Sequence, residues 1–188
     1  SPAAIPTGHN NKGFFKRALM NLFIIAFMFG FVELYTFCLG SGNGLIGLTI
    51  SLAIISFWRT DIGIKPLQGA FVIWGSFLLT GGATFLASFH PAIGVFVNFA
   101  SIYIILTLTS HQPMAKAYYP ILSCYLFAQS SPVYGIDYGL RMIGIAGGGL
   151  IVAIIYYMRH RKVKRRRNIT DIFRETHFCS IRTNFLFV

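Results

Sequence analysis

Charge is the scarcest property of this sequence. Only 11% of its 188 residues are Asp, Glu, Lys or Arg, about half the share of an ordinary soluble domain. A soluble domain of this size needs a charged shell, and these residues cannot build one. Cysteine is also sparse. Cys38, Cys124 and Cys179 are scattered, with no CxxC and no Cys/His cluster, which excludes a disulfide framework or a zinc site of the usual spacing and leaves the three as small apolar filler. There is no HExxH, no paired carboxylate and no Ser/His/Asp order, so an enzyme is not expected. Neither a cofactor nor a metal is expected: His90 and His111 stand alone in turns.

What is present is apolar length. Hydrophobic residues make up 55% of the chain, gathered in six runs at 18–40, 44–58, 67–89, 92–109, 117–131 and 138–158. About 20 apolar residues cross a bilayer core as a helix. The runs at 44–58 and 117–131 are short, and the second contains Pro120. "SGNG", "HP", "SHQP" and "SPVYG" separate the runs as turns. The expected fold class is therefore an all-α integral membrane protein with six transmembrane helices. Residues 1–17 form a cytoplasmic segment, 18–158 the membrane domain, and 159–188 a basic tail that is either an inner-leaflet amphipathic segment or the start of a further domain or half. In that tail Thr170 suits an N-cap, with Asp171 in the first turn after it.

The distribution of basic residues orients the chain. With six crossings and both termini cytoplasmic, thirteen of the sixteen Lys and Arg fall on one side: Lys12, Lys16, Arg17, Arg59, Lys65, Lys116 and the seven of "RHRKVKRRR" at 159–167. The net charge of +11 thus reads as a juxtamembrane anchor facing anionic lipid and not as a nucleic-acid surface. The charged stretch "WRTDIGIK" becomes a cytoplasmic loop in which Gly63 permits a tight turn and Pro66 opens the next helix.

Few residues could carry chemistry. Glu33 is the only acid inside an apolar run. An ionisable group within a span is costly, so Glu33 is either a protonation site lining a cavity or an interfacial glutamate reaching water. Arg141 follows Asp137 by four residues. It is either an attractor for anions or half of an interfacial salt bridge. Asn21 and Asn98 suit hydrogen bonds between helices. Gly144 and the "GGG" at 147–149 put small residues at helix-contact spacing.

The order of these features resembles the fusaric acid resistance and aromatic acid exporter superfamily, to which plant malate-activated anion channels are related. A basic stretch precedes the first span, and a short second span leads into a charged loop. There Arg59, Asp61, Gly63 and Lys65 stand for the family's basic loop and its glycine, and Gly75-Ser76 for the pair that opens its third span. Thr60, Asp61 and Ile62 occupy the places of the family's proline and arginine. The similarity covers about residues 12–167.

The resemblance implies one six-helix half of a bacterial inner-membrane exporter of aromatic or other organic carboxylates, driven by the proton gradient. Glu33, Arg141 and Asn98 are the candidates for its substrate and proton pathway. It also implies membrane lipids, a small organic anion and a second copy or second half as partners. Two other readings stay open: a passive anion channel subunit, and a membrane anchor for a cytoplasmic domain.

Overall fold

A computed structural model describes residues 11–109, 118–131, 133, 135–162, 168 and 170. Side chains are described from residue 15 onward, except that of Pro91. Among the described residues the chain is all-helical, with no strand. The helices are α1 (Asn11–Leu39), α2 (Gly44–Arg59), α3 (Pro66–Phe89), α4 (Pro91–Thr109), α5 (Tyr118–Ser130) and α6 (Ile136–His160), with a single 3-10 turn, Ser41–Asn43, between the first two. Thr170 is helical and exposed. The tail at 163–167, at 169 and beyond Thr170, with Asp171 and Cys179, lies outside the described residues, as do Lys116 and His111.

Local chemistry sets these boundaries. Gly40 takes φ 90° and ends α1; only glycine adopts that conformation without strain. Gly63, at φ 87°, turns the α2–α3 loop, and the Asp61 carboxylate accepts its N–H at 2.9 Å. Pro66 then opens α3 at its first turn, where its missing N–H removes nothing from the helix. His90 is extended between α3 and α4, and its Nδ1 accepts the Ala92 N–H at 3.2 Å. Gly135, at φ 62°, precedes α6.

Five of these elements are long and apolar enough to cross a membrane: Phe15–Leu39, Ser41–Arg59, Pro66–Phe89, Ala92–Thr109 and Ile136–His160. The short run at 44–58 therefore reaches spanning length, with the 3-10 turn as part of it. Among the described residues, the short run at 117–131 does not. The 13 residues of α5 rise only about 20 Å against a hydrocarbon core of about 30 Å.

Helix directions alternate through the bundle. Arg141, near the start of α6, meets Gly42 and Asn43 at the α1–α2 junction and Ala128 and Ser131 at the end of α5. The Tyr138 hydroxyl donates to the Gly81 carbonyl of α3 at 2.9 Å, which brings the second half of α3 to that same end. Asn98, in the first half of α4, meets Tyr125 and Gln129, in the second half of α5. At the opposite end the Tyr156 hydroxyl, late in α6, donates to Asp61 in the α2–α3 loop at 3.0 Å.

The core lies among α2, α3, α5 and α6. Ile46, Ile50, Phe57, Ile73, Phe77, Ile121, Val152 and Tyr156 are fully buried there. Glycines let the backbones approach. A methyl group built on Gly148 would lie 2.3 Å from Ile50 Cδ1, and one on Gly149 2.6 Å from Phe77 Cβ. The Trp74 indole donates to the Ala146 carbonyl at 3.2 Å, tying α3 to α6. By contrast α1 stands at the edge. Phe23, Phe29 and Phe37 are exposed along it, Phe37 by 88%, and Tyr35 is its buried hydrophobic anchor. An outward apolar face of this kind is what a helix presents to lipid.

Candidate functional site

The most unusual group in the interior is the Arg141 guanidinium, 1% exposed. It has five N–H donors in a fixed plane. Nε donates to Asn43 Oδ1 at 2.8 Å. One terminal nitrogen donates to the Ser131 carbonyl and to the Ala128 carbonyl at 3.4 Å. The other donates to the Gly42 carbonyl at 3.0 Å and to Ser131 Oγ at 3.4 Å. Asn43 is held in turn by its own Nδ2, which donates to the Leu39 carbonyl at 2.7 Å.

These acceptors share a physical origin. The last carbonyls of a helix have no intrahelical partner. Ala128 and Ser131 lie at the end of α5, and Gly42 lies in the 3-10 turn. Arg141 therefore closes the α5 terminus and ties it to the α1–α2 junction. Its positive charge also sits at the negative end of the α5 dipole.

The expected partner is not used. α6 does begin early enough, at Ile136, to carry Asp137 in its first turn. Yet Asp137 is exposed while Arg141 is buried, and among the described residues the two form no ion pair. Among the described residues, all the hydrogen-bond acceptors on the guanidinium are neutral. Dipoles solvate a buried cation without cancelling its charge, so the site keeps a positive potential.

A pocket of about 230 Å³ opens beside it, lined by Thr84, Phe85, Ser88, Val133, Gly135, Tyr138 and Arg141. Two aromatic rings, Phe85 and Tyr138, line it. The rings of Phe85 and Tyr138 lie 5.0 Å apart, and Phe89 meets Phe85 edge-on at 4.8 Å. Its hydroxyls already donate: Thr84 to the Thr80 carbonyl, Ser88 to the Phe85 carbonyl and Tyr138 to the Gly81 carbonyl. Each oxygen retains lone pairs, but its proton must turn away from the backbone to meet an anion. The arrangement places a positive field beside a small pocket, with all five guanidinium donors already engaged by the protein.

The other expected residues lie elsewhere. Glu33 is exposed on α1, one turn from the exposed Phe29 and Phe37, and does not line the Arg141 pocket. Asn98 joins α4 to α5, its Oδ1 accepting from the Tyr125 hydroxyl and, at 2.8 Å, from Gln129 Nε2. Asn21 is exposed and plays no such part among the described residues. In the loop, Arg59 and Lys65 are exposed. Asp61 instead faces inward, bonded to the Gly63 N–H and the Tyr156 hydroxyl. Gly75 has open space around it, whereas the Ser76 hydroxyl is buried and donates to the Val72 carbonyl at 2.7 Å.

Sequence reasoning missed Asn43, Tyr138 and Tyr156. Asn43 was hidden in what reads as a simple turn. A buried arginine must find acceptors, and an Asn at a helix start beside small residues is one such source. The tyrosines look like interfacial aromatics until the partner helix is known. No family model, curated protein or solved structure matches the chain, so the functional reading rests on these residues and their geometry.

Proposed function

We propose that this chain is a membrane transport module that moves aromatic or other small organic carboxylates, of the fusaric acid resistance and aromatic acid exporter type. The observation that carries the reading is the Arg141 guanidinium, held among the described residues by neutral acceptors, beside a pocket of about 230 Å³ lined by the rings of Phe85 and Tyr138. A buried cation with no counter-ion among the described residues favours an anion entering its field.

The reading includes six crossings with both termini cytoplasmic. The alternating helix directions support it, because α5 ends at the same end of the bundle as the α1–α2 junction. So does the charge distribution, with Lys16, Arg17, Arg59, Lys65, Arg159, Arg161 and Lys162 all assigned to the inner end. Cysteines introduced one at a time at Ser41 and Lys162, in a protein with Cys38 and Cys179 replaced by Ser and the buried Cys124 retained, test the orientation. A membrane-impermeant maleimide applied to intact cells should label Ser41→Cys and spare Lys162→Cys. The reverse pattern removes the topology.

Transport itself is tested in proteoliposomes with radiolabelled 4-hydroxybenzoate at about pH 8, where a carboxylic acid is almost wholly ionised. Protein-dependent flux is expected. Ser88→Glu should reduce it to background, because it places a negative charge at the pocket without touching the buried core. Flux that survives Ser88→Glu removes the pocket from the pathway.

Placement of Glu33 on the outward face favours a second reading, a passive anion pathway, over proton-coupled export. Glu33→Gln separates the two. Coupled export through Glu33 requires the variant to lose dependence on an imposed pH gradient. In a passive pathway its flux equals that of the parent.

A further inference from the structure

A second cavity lies between α1 and α2, far from Arg141. It measures about 410 Å³ and is lined by Met20, Phe23, Ile24, Phe27, Ile54, Ile55, Trp58, Arg59 and Ile155. That volume lies within the roughly 300–1,000 Å³ of small-molecule sites. Its origin is the loose attachment of α1. Met20, Phe23, Ile24 and Phe27 are spaced three and four apart, so they form one stripe, about 10 Å long at 1.5 Å per residue. The stripe faces α2 without closing against it.

One end of this cleft is cationic. Arg59 lines the mouth. The Arg159 guanidinium lies over the Trp58 ring at 5.6 Å, which brings a second cation to the same rim from the end of α6. Lys16 and Arg17 are exposed within one turn of Met20. Asp61 is the acid closest in sequence to Arg59, and its Oδ1 takes the Gly63 N–H and the Tyr156 hydroxyl. Trp58 is 53% exposed at the rim, in the position an interfacial tryptophan takes at headgroup depth.

We propose that this cleft is a discrete binding site for an anionic phospholipid of the inner leaflet. One acyl chain lies along the Met20–Phe27 stripe against Ile54, Ile55 and Ile155. The phosphodiester, with an anionic lipid's net negative charge, sits between Arg59 and Arg159. Charge complementarity selects the headgroup, and the apolar body of the cleft excludes a free phosphate. The site is separate from the Arg141 pocket and its lipid preference is tested apart from transport; only its assignment to the inner leaflet rests on the proposed orientation.

Each basic residue near a membrane surface favours anionic lipid by an amount equal to about a fivefold change in affinity, so two arginines predict a preference of roughly thirtyfold. The test is native mass spectrometry of the full chain in detergent, titrated separately with dioleoylphosphatidylglycerol and dioleoylphosphatidylcholine. One tightly retained phosphatidylglycerol per chain is expected. The double variant Arg59→Gln/Arg159→Gln should lose the preference. Met20→Trp/Ile24→Trp, which fills the cleft and keeps every charge, should lose the bound lipid itself.

A second measurement does not depend on filling the cleft. Trp58 is one of two tryptophans. In a Trp74→Phe protein its fluorescence should be quenched more strongly by brominated-chain phosphatidylglycerol than by brominated-chain phosphatidylcholine. Equal retention of the two lipids, or equal quenching, overturns the proposal and leaves only annular contact. Preference that survives the double arginine variant also overturns it, by assigning the binding to basic residues other than Arg59 and Arg159. So does a cleft-filled variant that still retains the lipid.

Discussion

Replacing Arg141 by Leu should lower stability by about 3 kcal/mol or more, because each buried polar group left without a partner costs roughly 1–3 kcal/mol. Here the deserted groups are Asn43 Oδ1 and the Gly42, Ala128 and Ser131 carbonyls. They belong to two separate segments, so the loss should also release the end of α5 from the α1–α2 junction. Leucine fills part of the volume but supplies no donor. Arg141→Lys tests the geometry separately from the charge. Lysine has three donors on a point charge and cannot reproduce the planar fork, so it should recover only part of the stability. Chemical denaturation in detergent, followed by circular dichroism, reads both variants. Unchanged stability of Arg141→Leu would remove the clamp. Flux adds a second readout: the proposed function requires Leu to abolish it and Lys to retain some, since the positive field remains.

Gly149→Leu should prevent α3 and α6 from packing, while Gly147→Leu, two positions away, should be tolerated. Even a methyl group on Gly149 would lie 2.6 Å from Phe77 Cβ and 2.9 Å from its Cγ. Phe77 is fully buried, and its Cβ is fixed to the α3 backbone, so no rotamer change relieves the contact and the helices must separate. Overpacking a core usually costs about 1–3 kcal/mol, and a leucine here should exceed that range. The helical gain of roughly 1 kcal/mol on replacing glycine does not offset it. At Gly147 a built methyl group meets nothing within 4 Å. Gly148→Ala should fall between the two, because it meets Ile50 Cδ1 at 2.3 Å, the far end of a side chain with some freedom to move. Yield of folded protein by size exclusion after mild detergent extraction gives the order. If Gly149→Leu and Gly147→Leu behave alike, the close approach at Gly149 is wrong.

Much of the architecture was legible in the residues. The apolar runs located the helices to within a few positions, except that α1 begins at Asn11, seven residues before its run; a chain with so little charge must bury its backbone polar groups in helices to enter lipid. Gly63 and Pro66 marked the α2–α3 loop correctly, and Asn98 acts between helices as its polarity suggested. The run at 117–131 was less clear. It reads as a short span, yet its described helix is the one element too short to count as a crossing by length. The short run at 44–58 gained its spanning length from the 3-10 turn before it, which no periodicity announces.

The sequence alone determined the membrane character, the helical class and the punctuation between helices, because these follow from composition and from backbone-restricted residues. Tertiary structure decided which way each side chain faces. It turned Arg141 inward to neutral carbonyls and Asp137 outward, though the two lie four residues apart on one helix. It set Glu33 on an exposed face, and it made Gly148 and Gly149 contact points while leaving Gly147 open. The physical reason is the solvent. In water a polar stripe reveals the outer face of a helix, but lipid is as apolar as the protein core. A helix that is apolar all round therefore carries little record of its own rotation, and only the neighbours that pack against it fix that rotation.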